Sequence, residues 1–175
     1  MLDVLRVGLL RPRPQCHQPE NWLVDQSEWS LLARPLGAPL FGALKSHVVH
    51  DENLLGGPSD RVAVETFAAA PAKASLALVA PETVVFRCQP RPSGVPQVRG
   101  RFCLGPRRVT FDLAVTDPRW EKKILQAGRM TLQQGEQPFL LTISLGEPYR
   151  GFCYKLIAAV IPLPPELARH VAHGC

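Results

Sequence analysis

Between Thr83 and Phe111 the sequence carries six arginines, Arg87, Arg91, Arg99, Arg101, Arg107 and Arg108, and no acidic residue. Guanidinium groups grip phosphate oxygens in pairs, so arginines free of carboxylates point to polyanion contact. Arg99 and Arg101 stand two apart in an alternating segment and share one strand face, and Arg107 and Arg108 lead into the next strand. A solvated face that discourages edge pairing would have the same pattern. A second stretch, Gly146-Glu147-Pro148-Tyr149-Arg150-Gly151-Phe152, offers different chemistry. Gly146 and Gly151 permit positive φ and close backbone approach. Glu147 can accept hydrogen bonds from a base or sugar, and Arg150 and Lys155 can meet phosphate. Tyr149, Phe152 and Tyr154 are rings on which bases can stack. A rigid Gly/Pro turn explains the same residues without a ligand.

Other chemistry-bearing groups point elsewhere. His17, Gln18, Asn21 and Trp22 read as a structural network at a junction between the two halves of the chain. His47-x-x-His50-Asp51 and His170-x-x-His173-x-Cys175 contain metal-ligand types. Neither falls in a firm element, so no metal site is expected. The carboxylates Asp112, Asp117, Glu121 and Glu147 lack the partners that acid–base chemistry needs, and Asp117 has a sufficient role as a helix cap. There is no GxSxG, no P-loop, no HExxH and no Cys–His pair with an orienting third group. The expectation is a binding module, not an enzyme, with no cofactor.

The elements that position these groups are mostly strands. Ser75–Ala80 and Thr83–Cys88 are β-rich runs broken at Pro81, and together they read as one long bent strand. Val98–Leu104 and Arg108–Val115 alternate in period two and form a hairpin around Gly105-Pro106-Arg107. Asp117-Pro118 starts a helix, with Trp120 and Ile124 on its inner face and Gly128 as its stop. Phe139–Leu145 and Tyr154–Ile161 are the last strands. A helix set after the third strand, with two strands following, is the plan of a five-stranded OB-fold barrel. Before residue 75 the pattern weakens. Leu2–Leu10 reads as a strand with nothing nearby to pair with, and helical turns are expected near Leu23–Asp25 and Leu40–Leu44. The expected organisation is a partial first half over residues 1–65, a linker over 66–74, a barrel over 75–162 and a flexible tail over 163–175.

Composition bounds this reading. Hydrophobic residues make up 46% of the 175, enough for a core. The 18 prolines exclude long helical bundles. The net charge of +5, with 15 of the 20 basic residues arginine, favours a polyanionic partner only mildly. Five cysteines, odd in number and without a CxxC pair, fit a reducing compartment. With no signal core and no apolar run long enough to span a bilayer, a cytoplasmic protein with no membrane partner is expected.

Several stretches resemble the prokaryotic dual OB-containing domain family. They are His17-Gln18-Pro19-Glu20-Asn21-Trp22-Leu23, Asp60-Arg61-Val62, Val115-Thr116-Asp117-Pro118, Ser144 to Tyr149, and Cys153 to Ile161. The resemblance implies a mainly β chain: one complete OB barrel preceded by a partial or shortened one. Relative to the family pattern, the N-terminal part of the first barrel is expected to be missing, through truncation or a misassigned start. It further implies sequence-tolerant binding of single-stranded or structured nucleic acid, in a bacterial defence setting. The groove would be formed by Arg87, Arg99, Arg101, Arg107, Arg108, Tyr149, Arg150 and Lys155, and shaped by Gly146, Glu147 and Gly151. The competing expectation is a protein-interaction or accessory module without a nucleic-acid ligand.

Overall fold

The computed structural model describes residues 3–35, 37–91 and 94–164. Two regions differ in how they bury their strands. In the first, β1 (Val4–Arg6) pairs antiparallel with β4 (Ser30–Ala33), and β2 (Leu9–Pro12) with β3 (Trp22–Val24). These are separate two-stranded ribbons. Leu2–Leu10 is therefore two strands with a break at Val7-Gly8, and each finds its partner within the next thirty residues of chain. Gly8 sits close against the turn before β4, where a Cβ would lie 2.8 Å from Ser27 Oγ. The helical turn expected at Leu23–Asp25 is strand β3 instead; the turn near Leu40–Leu44 is helix α1 (Gly37–Lys45).

The second region is an eight-stranded sheet. It contains β5 (Arg61–Ala63), β6 (Leu76–Val79), β7 (Thr83–Gln89), β8 (Gln97–Leu104), β9 (Val109–Val115), β10 (Arg129–Gln133), β11 (Phe139–Tyr149) and β12 (Phe152–Pro162). The main path runs β10-β7-β8-β9-β12-β11-β6, with β5 added to β12. All pairs are antiparallel except β9 with β12. Helix α3 (Pro118–Ala127) connects β9 to β10. This order, with its helix after the third strand of the set β7-β8-β9, is consistent with an OB-like domain.

The bend expected at Pro81 is present: β6 pairs β11, whereas β7 pairs β8 and β10. Gln134 spans the matching break between β10 and β11. Its buried amide donates to Pro81 O at 3.0 Å and Phe139 O at 2.7 Å, and accepts from Phe139 N. Strand β10 was not anticipated. Arg129-Met130-Thr131-Leu132-Gln133 has only two apolar residues, and Gly128 looks like the end of an element.

The sheet wraps a core containing Val84, Phe86, Val98, Phe102, Phe111, Leu113, Ile124, Phe139, Ile143 and Ile157. Gly100 has no side chain because Ile157 fills its place, and a Cβ there would sit 2.5 Å from Ile157 Cδ1. Asp117 caps α3 through Arg119 N and Trp120 N, and its other oxygen accepts from Val160 N at 3.0 Å. One side chain thus starts the helix and ties it to β12.

Three boundaries move. Helix α2 (Val64–Ala69), with Phe67 buried, occupies much of the expected linker. Strand β5 belongs to the main sheet although it precedes residue 65. Leu163, assigned to the tail, is 4% exposed and donates its N–H to Pro138 O. His170, His173 and Cys175 lie outside the described residues.

The ribbons join the sheet through polar contacts. Glu20 accepts from both N and Oγ of Ser75 at 2.8 Å. Burial raises the Glu20 pKa, but hydrogen bonds from backbone and from Ser75 outweigh it, and the value falls below the ordinary one. Gln18 donates to Leu145 O, Asn21 to Gln18 Oε1, and Ala72 N to Cys16 O. Of the four residues expected at this junction, Gln18 and Asn21 make its hydrogen bonds, whereas Nε2 of buried His17 has no hydrogen-bond partner and Trp22 is 48% exposed.

Candidate nucleic-acid interface

The outward face of the β7-β8-β9 sheet forms a groove made of two confluent parts. Asp60, Arg91, Gln97 and Arg99 border both. One part, about 560 Å3, extends to Arg87, Thr110 and Asp112. The other, about 420 Å3, extends to Gly146, Glu147, Tyr149 and Tyr154. The hairpin and the β11–β12 loop, far apart in sequence, meet here.

Four of the six arginines of the expected cluster lie within ion-pair distance of a carboxylate. Arg87 and Arg99 both hold Asp112, at 2.5 Å and 2.8 Å, and Arg99 also donates to the Asp112 carbonyl. Burial raises the Asp112 pKa, but the hydrogen bonds and charges of the two arginines outweigh it and bring it below the usual carboxylate value. Arg107 N donates to Glu52 at 2.6 Å, and its side chain stands 3.8 Å from the same carboxylate. Arg108 pairs with Glu82 at 3.4 Å. The acidic residue missing from Thr83–Phe111 is thus supplied by position 112 and by two remote loops. An arginine already matched to a carboxylate contributes less to phosphate. Arg99 thereby ties β8 to β9, whereas the Arg107 and Arg108 side chains pair at the surface, 87% and 71% exposed. Arg101, exposed, and Arg91 have no ion pair among the described residues.

The expectation for Lys155 is corrected. It is 1% exposed at the groove wall and donates to Gly57 O at 2.6 Å and Ser59 O at 2.7 Å, so its ammonium is taken up by backbone carbonyls. Burial lowers its pKa to about 8, with Asp60 opposing the shift. Its position, between Tyr154 and Leu156 on β12, decides this: alternation turns it inward while its neighbours face the groove. Its ammonium pins the 57–59 loop instead.

The rings do come together. Tyr149 and Phe152 each lie 6.4 Å from Tyr154, centroid to centroid. Arg61 stands over Phe152 at 4.9 Å and over Tyr154 at 5.8 Å, and Arg150 over Tyr149 at 5.2 Å. Tyr149 is 58% exposed. A tight turn produces this arrangement, with positive φ at Arg150 and Gly151 reversing the chain between the rings. Arg61 was missed as a site residue because it belongs to β5, whose pairing with β12 no local pattern announces. Glu147 turns toward the ribbons: its Oε2 is 3.3 Å from Nε2 of buried His17, too poorly aligned for a hydrogen bond. Gly146 packs beside Leu156 and Tyr154 O, where a Cβ would be tight.

Among the described residues there is no group of three or more His, Cys, Asp and Glu placed to hold a metal ion. No described helix is long and apolar enough to cross a membrane. No curated protein and no solved structure gives a significant match to the chain. The model of one family does match, over residues 1–160. On that extent the chain belongs to the family of the dual OB-containing domain.

Proposed function

We propose that the protein binds single-stranded nucleic acid with little sequence preference, along the groove between the β7-β8-β9 face and the β11–β12 turn. In this reading the β6–β12 sheet acts as a closed OB barrel, and the ligand lies across the strand face such barrels use. The observation that carries it is the alternation of rings and guanidiniums: Arg61, Phe152, Tyr154, Tyr149 and Arg150 in one cluster at the groove end. Bases stack on such rings whatever their identity, and cations follow the backbone. Arg91 and Arg101, rather than the carboxylate-bound arginines, supply phosphate contacts. A bacterial defence role remains part of this proposal through the family resemblance alone.

Fluorescence anisotropy of labelled DNA and RNA strands at about 50 and 200 mM salt tests it, since phosphate-led binding falls steeply over that range. Tyr149→Ala with Tyr154→Ala should weaken binding about 5- to 150-fold, the span of one lost stacked base. Arg101→Ala should weaken it less and flatten the salt dependence. Full affinity in the double ring variant would rule out this site.

A second reading has its own observation. Leu9, Leu10, Trp22, Trp29 and Leu32 on and beside the ribbons are all about half exposed or more, the chemistry of a protein-docking surface. Association through those residues would resist salt, and Trp29→Ser would weaken it while leaving nucleic-acid binding alone.

A further inference from the structure

Strand β10 adds a surface that the groove does not include. Its register sets Arg129 opposite Arg87 on β7, and Arg87 opposite Arg99 on β8. Directly opposed residues of antiparallel strands project to the same side. Leu132 is buried on the inner side while Arg129, Thr131 and Gln133 are exposed on the outer one. Three arginines therefore form a row across three adjacent strands, stepping about 4.8 Å each time.

Helix α3 ends at Gly128, immediately before Arg129. Trp120 and Ile124 face the core. At about 100° per residue, Lys122, Gln126 and Arg119 face away from the core, and Lys123 lies at the edge of that face with its ammonium 4.5 Å over the Trp120 ring, opposite Glu121. Arg119, Lys122, Lys123 and Arg129 are exposed, and none pairs with a carboxylate among the described residues. The hairpin arginines are the opposite case, four of them matched to Asp112, Glu52 or Glu82. Four exposed cations without a carboxylate partner raise the local positive potential, which attracts a polyanion.

We propose that α3 and β10 form a second phosphate-contact surface, adjoining the groove along β7, where Arg129 stands opposite the carboxylate-bound Arg87. A strand long enough to leave the groove crosses β7 and β10 and continues onto the helix. The inference rests on the nucleic-acid reading of the groove and adds the direction and minimum length of the bound strand. A short strand fills the groove alone; a longer one gains phosphate contacts without further stacking.

The test compares Arg119→Ala/Lys122→Ala/Arg129→Ala with the unaltered protein, using thymidine strands of about 6 and about 20 nucleotides, which bracket the usual reach of one OB fold. Alanine suits the exposed helix positions, and circular dichroism checks the fold. The unaltered protein should bind the long strand with a salt slope steeper by about 2 than the short one, the value for three phosphates on single strands. The variant should lose that extra slope and its long-strand advantage, and bind the short strand as before. Should the triple variant alter the fold, Lys122→Glu alone must weaken long-strand binding selectively. Unchanged long-strand affinity and slope would overturn the inference and leave the groove reading intact. Loss of binding to phosphatidylserine vesicles without loss for the long strand would also overturn it, assigning the surface to lipid. No binding of either strand by the unaltered protein would overturn the groove reading, and this inference with it.

Discussion

The β6–β12 sheet and the N-terminal ribbons are both built of strands carrying leucine and valine, yet only one of them has a core. In the sheet, alternate residues of β7 and β8 are essentially inaccessible: Val84, Phe86, Val98 and Phe102. In the ribbons Val4, Leu5, Leu9, Leu10, Leu31 and Leu32 are all more than 40% exposed. A two-stranded ribbon has no second layer, so its apolar residues gain little from pairing. The β2–β3 connection meets the sheet through polar contacts at Gln18, Glu20 and Ser75. Strand propensity alone does not build a core; a strand needs something across from it.

The sharpest way to test that contrast is to truncate one apolar side chain to alanine on each side. Phe86→Ala should cost about 3–5 kcal/mol by urea unfolding, the usual loss for a fully buried ring, whereas Leu10→Ala should change stability by less than about 0.5 kcal/mol. Equal costs would mean that the ribbons share the core's cooperative unit.

Lys155 sharpens the comparison inside the sheet, where a charge sits among apolar side chains. Its folded pKa of about 8 lies below the ordinary 10.5, so between those values the unfolded chain binds more protons than the folded one. Stability from this group therefore rises as pH increases from about 8 to 10.5, by up to ~3 kcal/mol. Lys155→Met should remove that rise and loosen the 57–59 loop, and unfolding curves at pH 7.5 and 10 for both proteins check it. A parallel pH response in the variant would remove Lys155 as its source.

Asp112 is expected to matter next. Asp112→Asn should destabilise by about 1–3 kcal/mol, since it leaves Arg87 and Arg99 without their shared counter-charge. Because its folded pKa is lowered, the contribution is present above the unfolded value, near 4, and is lost as pH falls through the folded one. Acid titration of the variant should therefore lack part of the native decline between pH 4 and lower values.

The smallest effect belongs to the junction. Glu20→Gln should shift global stability by about 1 kcal/mol or less, yet raise amide hydrogen exchange across β1–β4 selectively. Uniform exchange through the whole chain would show that the junction does not act on the ribbons locally.

Much of this molecule was legible from local pattern. The β8–β9 hairpin follows from period-two alternation around Gly105, whose positive φ and contact with Glu52 leave no room for a side chain. The start of α3 follows from Asp117-Pro118, and the break at Pro81 from the missing N–H of proline. These are short-range effects, set by residues within a few positions of one another. The burial of Lys155, the joining of Arg61 to Phe152 and Tyr154, and the capture of Arg87 and Arg99 by Asp112 were not legible in that way. Nor was β10, which is a strand because β7 offers it an edge. Charge runs along a sequence count only neighbours in the chain, while carboxylates come from wherever the sheet brings them. Residue types and alternation determined which side chains this protein has to bind with; strand register decided which of those remain free to do so.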